Sequence, residues 1–145
     1  MSDRSVQHLI PIAIAIIHQD GKYLMQLRDN IPSIIYPGVW GLFGGHIEPG
    51  ENPEAGLRRE LIEEINYPVE QLTKFNSYND NKYARYVFSC HLCVTIDNLE
   101  LNEGDDFGLL TLAEIKNGFG YSPKNKEFRA LGDLPRQIIL DFIAA

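Results

Sequence analysis

A chain of 145 residues, 44% hydrophobic and 23% charged, has the size and balance of a single domain over residues 1–145, large enough to bury a core without staples. Its formal charge of -7 argues against a general DNA or RNA binder, which needs clustered Lys and Arg, but not against a small phosphorylated substrate where a bound cation reverses the local field. The longest apolar run, residues 9–17, is too short to span a bilayer and is not flanked by a basic leader or a small-residue cleavage site, so a cytoplasmic protein without membrane contact is expected.

Residues 8–17, rich in Ile and Ala, read as a buried strand. Asp20-Gly21 marks a tight turn, and KYLMQLR, 22–28, alternates as the second strand of a hairpin. Pro32, Pro37 and Gly38 make 29–38 a loop. VWGLF, 39–43, is a short strand expected to break at Gly44-Gly45 into the loop GGHIEPGE. A helix start follows: Asn52 can cap, Pro53 suits the first helical position, and Glu54 suits the positive end of the dipole. The helix is expected to run to Ile65, with Asn66 closing it in a left-handed conformation and Pro68 preventing continuation. Two strands, 69–79 and 83–96, come next, then an acidic loop over 97–108. A short strand, a short helix capped at Thr111 and a C-terminal helix over 134–145 complete the chain, giving an α/β or α+β sandwich. Cys90 and Cys93 form a C-x-x-C, but in the expected strand they face opposite sides and cannot share one ion, so both are read as structural.

The helix over 53–65 is unusual in its charges. On a helical wheel Leu57, Leu61, Ile62 and Ile65 gather on one side and Glu60, Glu63 and Glu64 on the other. Glu60–Glu64 and Glu60–Glu63 are like-charge pairs at i,i+4 and i,i+3, each costing a few tenths of a kcal/mol without a counter-ion. Either the acids are a solvated polar face, or they hold a divalent cation such as Mg²⁺ or Mn²⁺, which prefers oxygen ligands.

The stretch Gly45-x5-Glu51-x7-Arg59-Glu60-Leu61-Ile62-Glu63-Glu64-Ile65-Asn66-Tyr67 resembles the box of the Nudix hydrolases, G-x5-E-x7-R-E-U-x-E-E-x-G-U, where U is a bulky aliphatic residue. Only Asn66, for the family's Gly, and Tyr67, for an aliphatic residue, depart at the fixed positions. The first strand, the hairpin ending in Arg28, the WGLFGG entry and the NEG…LAEI segment extend the likeness over most of the chain.

The resemblance implies the Nudix fold, an α/β/α sandwich around a mixed sheet, and water attack on a pyrophosphate bond of a nucleotide-type small molecule with Mg²⁺ or Mn²⁺. By similarity Glu60, Glu63 and Glu64 are metal ligands, joined by the carbonyl of Gly44 and by Glu103. Glu60 or Glu63 serves as general base, and Arg59 orients Glu51 or a carboxylate of the cluster. Glu51 and Gly45 are structural within the box, and Arg28 and His46 are candidates to touch substrate. Nucleoside triphosphates, dinucleoside polyphosphates and nucleotide sugars all stay open as substrates, as does a homodimer. Two readings of other classes compete: an isomerase of the isopentenyl diphosphate type, which adds a catalytic Cys and His ligands outside the box, and a non-catalytic nucleotide-binding module, in which the box has usually lost carboxylates.

Overall fold

The structure, a computed structural model, describes residues 8–29 and 38–145. The loop expected over 29–38 falls mainly outside them. Strand β1, Ile10–Gln19, runs down the middle of a mixed sheet, parallel to β6, Tyr83–His91, over nine residue pairs. It turns through Asp20-Gly21 into β2, Lys22–Leu27. Both turn residues have positive φ, 52° and 75°, as a two-residue type I′ hairpin requires. Strands β3, Trp40–Gly41, and β7, Asp106–Leu110, flank β2, while β5, Thr73–Asn79, lies antiparallel outside β6.

The expected strand over 39–43 is in fact two pieces. Leu42 separates β3 from β4, Phe43–His46, and β4 pairs antiparallel with β1 straight through Gly44 and Gly45. The glycine pair therefore does not break the strand. It lies inside the ladder because only glycine fits there: a Cβ on Gly44 would stand 2.1 Å from Ala13 O.

Helix α1, Pro53–Ile65, packs on one face of the sheet, where Leu57, Leu61 and Ile65 meet Ala13, Ala15, Phe43 and Phe88. The opposite face is covered by α2, Leu112–Asn117, and α3, Asp133–Ala144, with Ile16, Met25, Trp40, Ile115, Ile138 and Ile139 between them. Helices on both faces of a mixed sheet make the expected α/β/α sandwich. Among the described residues no helix is long and apolar enough to cross a membrane.

Three further expectations are corrected. The second long strand ends at His91 rather than residue 96, and Ile96–Asn98 forms a single 3₁₀ turn. Cys90 is buried in the strand while Cys93 is exposed beyond its end, so their separation comes from the chain leaving the sheet. The strand expected from residue 69 begins at Thr73, because the carbonyls of Val69 and Glu70 are taken by Arg58 of α1. A hairpin that the sequence reading did not anticipate, β8, Phe119–Ser122, and β9, Glu127–Ala130, stands between α2 and α3.

Candidate functional site

The site grows from the two ends of α1. Asn52 caps the start, its side chain accepting from Ala55 N at 2.8 Å, with Pro53 in the first turn. At the other end Asn66 has φ 54° and ψ 41°, and the amides of Asn66 and Tyr67 donate to Ile62 O and Leu61 O. These backward bonds satisfy carbonyls that a helix end otherwise leaves open. The box thus keeps its shape with Asn in the glycine position.

The wheel is half right. Leu57, Leu61 and Ile65 are buried, but Ile62 is 48% exposed and Glu64 only 7%. The buried stripe is rotated toward the acidic side because β4 lets the helix come close there. A Cβ on Gly45 would stand 2.4 Å from Glu60 Cδ, so glycine is what allows the Glu60 carboxylate to lie against the β4 backbone. Next to it, Gly44 N donates to Glu64 Oε1 at 3.1 Å. The carbonyl of this glycine was expected to face a cation; its amide already faces the acid.

Arg59 organises the rest. Its guanidinium takes Glu51 in a fork, Nε to Oε2 at 2.8 Å and Nη2 to Oε1 at 3.0 Å. The same group reaches Glu60 at 3.1 Å, Glu63 at 3.3 Å and the carbonyl of His46 at 3.0 Å. Five donors on a rigid plane can serve this many acceptors, which a lysine ammonium cannot match in geometry. Glu51 accepts from Glu48 N as well, at 2.9 Å, and these bonds, led by Arg59, bring its carboxyl down to about 2. Glu51 therefore ties the loop to the helix, and the His46 carbonyl shares in the tie while the His46 side chain is exposed.

The charges of Glu60 and Glu64 are poorly compensated. Burial first, and then the neighbouring Glu60, push Glu64 up to about 8, against the opposing pull of the Gly44 amide and the Gln26 side chain. Glu60 is also raised, chiefly by burial, with Arg59 acting against it. Glu103 adds to both shifts, and its neighbour Asn102 bonds to the carbonyls of Glu63 and Glu64, so the acidic loop runs close to α1. Glu63, 57% exposed, points outward. Among the described residues no three carboxylate, imidazole or thiolate groups are drawn into a closed cage.

Arg28 follows β2 directly; its amide donates to Val39 O and its side chain passes Gly41. It thus belongs to the β2–β3 side of the sheet. Gln26 is a residue the sequence reading passed over: it is 5% exposed, donates to Leu42 O at 3.4 Å and pulls the Glu64 carboxyl down against the effect of burial. The signal was a polar residue in a strand whose other members from Tyr23 to Leu27 are all buried and apolar. A groove of about 730 Å³ lies elsewhere, between the first turn of α1 and β5–β6, and none of the clustered acids lines it.

Comparison with known proteins agrees with this fold. The model of the NUDIX domain matches residues 8–131. The nucleoside triphosphatase NudI of Salmonella arizonae is 46% identical over 55 residues, a match covering 37% of this chain and 38% of that protein. The matched stretch thus spans well under half of the curated relative. In fold, a MutT structure from work on Aliivibrio salmonicida and Vibrio cholerae superposes with a TM-score of 0.70 at 20% identity, covering 93% of this chain and 97% of that one. The NUDIX domain of Shewanella oneidensis NrtR, solved with ADP ribose, gives 0.70 at 17% identity, covering 94% and 87%. With a domain match over most of its length and the box intact around Arg59, the chain belongs to the Nudix hydrolase family.

Proposed function

We propose that this protein hydrolyses a pyrophosphate bond in a nucleoside diphosphate linked to another group, with Mg²⁺ or Mn²⁺ held by Glu60, Glu63, Glu64, Glu103 and the carbonyl of Gly44. The carrying observation is Glu64, a carboxyl buried beside two others and pushed to about 8 because the chain supplies no full counter-charge. All the proposed donors are oxygens, the ligand type these hard cations take. When bound, the cation neutralises phosphoryl oxygens and lowers the pKa of a water. The chain does the rest. Gly44 N orients Glu64, and Arg59 holds Glu60 and Glu63. Glu60 or Glu63 accepts the proton of the attacking water, and Arg28 and His46 are the residues assigned to the substrate phosphates or nucleoside.

Nucleoside triphosphates head the substrate classes, ahead of dinucleoside polyphosphates and nucleotide sugars, because the NudI relatives are named nucleoside triphosphatases. The test is a nucleotide panel with product identification, with and without Mg²⁺. Release of nucleoside monophosphate only with the cation is expected; no release from any member would end the hydrolase reading. Glu60→Gln and Glu63→Gln assign the base. The variant lacking it should lose the acidic limb of the pH–rate profile and at least about 100-fold in kcat; two unchanged profiles would exclude both residues.

A further inference from the structure

The loop that carries Glu103 is held at both ends, by different parts of the molecule. On the N-terminal side, Asn102 N donates to Glu64 O at 2.9 Å and its side-chain amide to Glu63 O at 2.8 Å. On the C-terminal side, the tip of the β8–β9 hairpin grips Asp105. Lys124 Nζ stands 3.0 Å from one carboxylate oxygen and donates to the Asp105 carbonyl at 2.7 Å. Asn125 Nδ2 donates to the other carboxylate oxygen at 2.8 Å. Ser122, fully buried, extends the grip by donating to Asp106 Oδ2 at 2.7 Å. Only Glu103 and Gly104 lie between the two anchors. Gly104 has φ 101°, where a side chain is strained, so the aim of Glu103 depends on what fixes its neighbours.

We propose that Lys124 and Asn125 are positioning residues for Glu103: the hairpin tip holds the acidic loop against α1 and thereby sets the affinity of the cation site. This rests on the proposed reading of Glu103 as a cation ligand. The hairpin is suited to the task because its root is fixed. Trp40 Nε1 donates to Gly120 O at 3.0 Å, and Arg129 Nη1 to Gly38 O at 3.2 Å. The opposing tendency is electrostatic. Glu103, which is exposed, and the half-buried Asp105 and Asp106 follow one another closely in a loop laid beside Glu60 and Glu64, and like charges so placed repel. A lysine clamp on Asp105 counters that repulsion, and the amide of Asn125 adds direction that charge alone lacks.

The test is a thermodynamic cycle over the Lys124→Met/Asn125→Ala double variant, Glu103→Gln, and all three together. Mn²⁺ binding is read from the paramagnetic resonance signal of the free ion, and hydrogen exchange of the loop is followed in the cation-free protein. The double variant should weaken Mn²⁺ binding about tenfold, in the range seen when supports of metal ligands are removed. Its loop amides around Gly104 should exchange faster while those of α1 stay protected. With Glu103→Gln already in place, the same two substitutions should leave the affinity within about twofold, because the coupling they act through is gone. Equal losses in both backgrounds, or no loss beside an intact Glu103, overturn the proposal. If Glu103→Gln alone binds Mn²⁺ as the wild type does, the ligand reading fails and the proposal with it, whatever the exchange data show.

Discussion

Glu64 is a carboxyl that the fold keeps from ionising comfortably. It ionises at about 8 in the folded chain, against a reference of 4.5 for an unperturbed glutamic acid. A raised folded-state value means that the folded protein holds the proton more tightly than the unfolded one. The stability this group contributes is therefore complete below about pH 4.5 and is lost as pH rises through 8, at up to about 1.4 kcal/mol per unit. Glu64→Gln removes the titration while keeping the shape. Without divalent cations, thermal melting of the variant should match the wild type near pH 4, exceed it increasingly up to about pH 8 and run level with that excess above it. Parallel melting curves across that range would show that the carboxyl is not the proton-holding group described. Little of this was legible in the sequence. The spacing gave the identity of the acids, but a wheel drawn from the helix alone put Glu64 with the exposed residues and Ile62 with the core. What decides between them is the approach of β4, a contact across 20 residues of chain, opened by two glycines whose packing role the spacing did not reveal.

Among the elements, α1 was the most readable because its information is local: a cap, a proline, an apolar stripe and a left-handed closing residue. Its one irregular feature, Asn66-Tyr67, has a physical account. Asn tolerates φ 54° at modest cost, and Tyr67, 6% exposed, reaches further than an aliphatic residue could. Its hydroxyl accepts from Cys93 N at 3.2 Å, where the chain has just left β6. Asn66→Gly should therefore raise stability by up to about 1 kcal/mol, and Asn66→Ala should lower it by a similar amount. Tyr67→Phe should cost about 1 kcal/mol through the amide left without its partner. Denaturant melts measure all three, and a stabilising Asn66→Ala would contradict the cap. The β8–β9 hairpin was illegible for the opposite reason. Its exposed face carries Phe119, Tyr121 and Phe128, while Gly120 and Ser122 point inward, so the usual alternation is inverted. Its turn, Pro-Lys-Asn-Lys, also lacks a two-residue hairpin signature.

At the scale of the whole molecule, the proposed cation site draws on parts that are remote in sequence. Gln26 comes from β2, Gly44 from β4, Glu60 and Glu64 from α1, and Glu103 from the loop before β7. These four parts would not be neighbours in an unfolded chain, so a cation bound here binds the folded state far better than the unfolded one and stabilises it by mass action. At 100 times its dissociation constant the gain is about 2.7 kcal/mol. For a chain of this size that corresponds to a rise in Tm of roughly 5–10 °C. The net charge of -7 gives a competing, unspecific effect, because any salt screens self-repulsion. The two are separable. Mg²⁺ titrated at constant ionic strength should raise Tm in the wild type with the logarithm of its concentration. Glu64→Gln and Glu60→Gln should flatten that response, and NaCl at matched ionic strength should not reproduce it. A Tm that follows ionic strength regardless of the cation's identity would mean that the carboxylates of α1 only share in the general acidity of the surface, because a specific site must distinguish Mg²⁺ from its equivalent in screening salt.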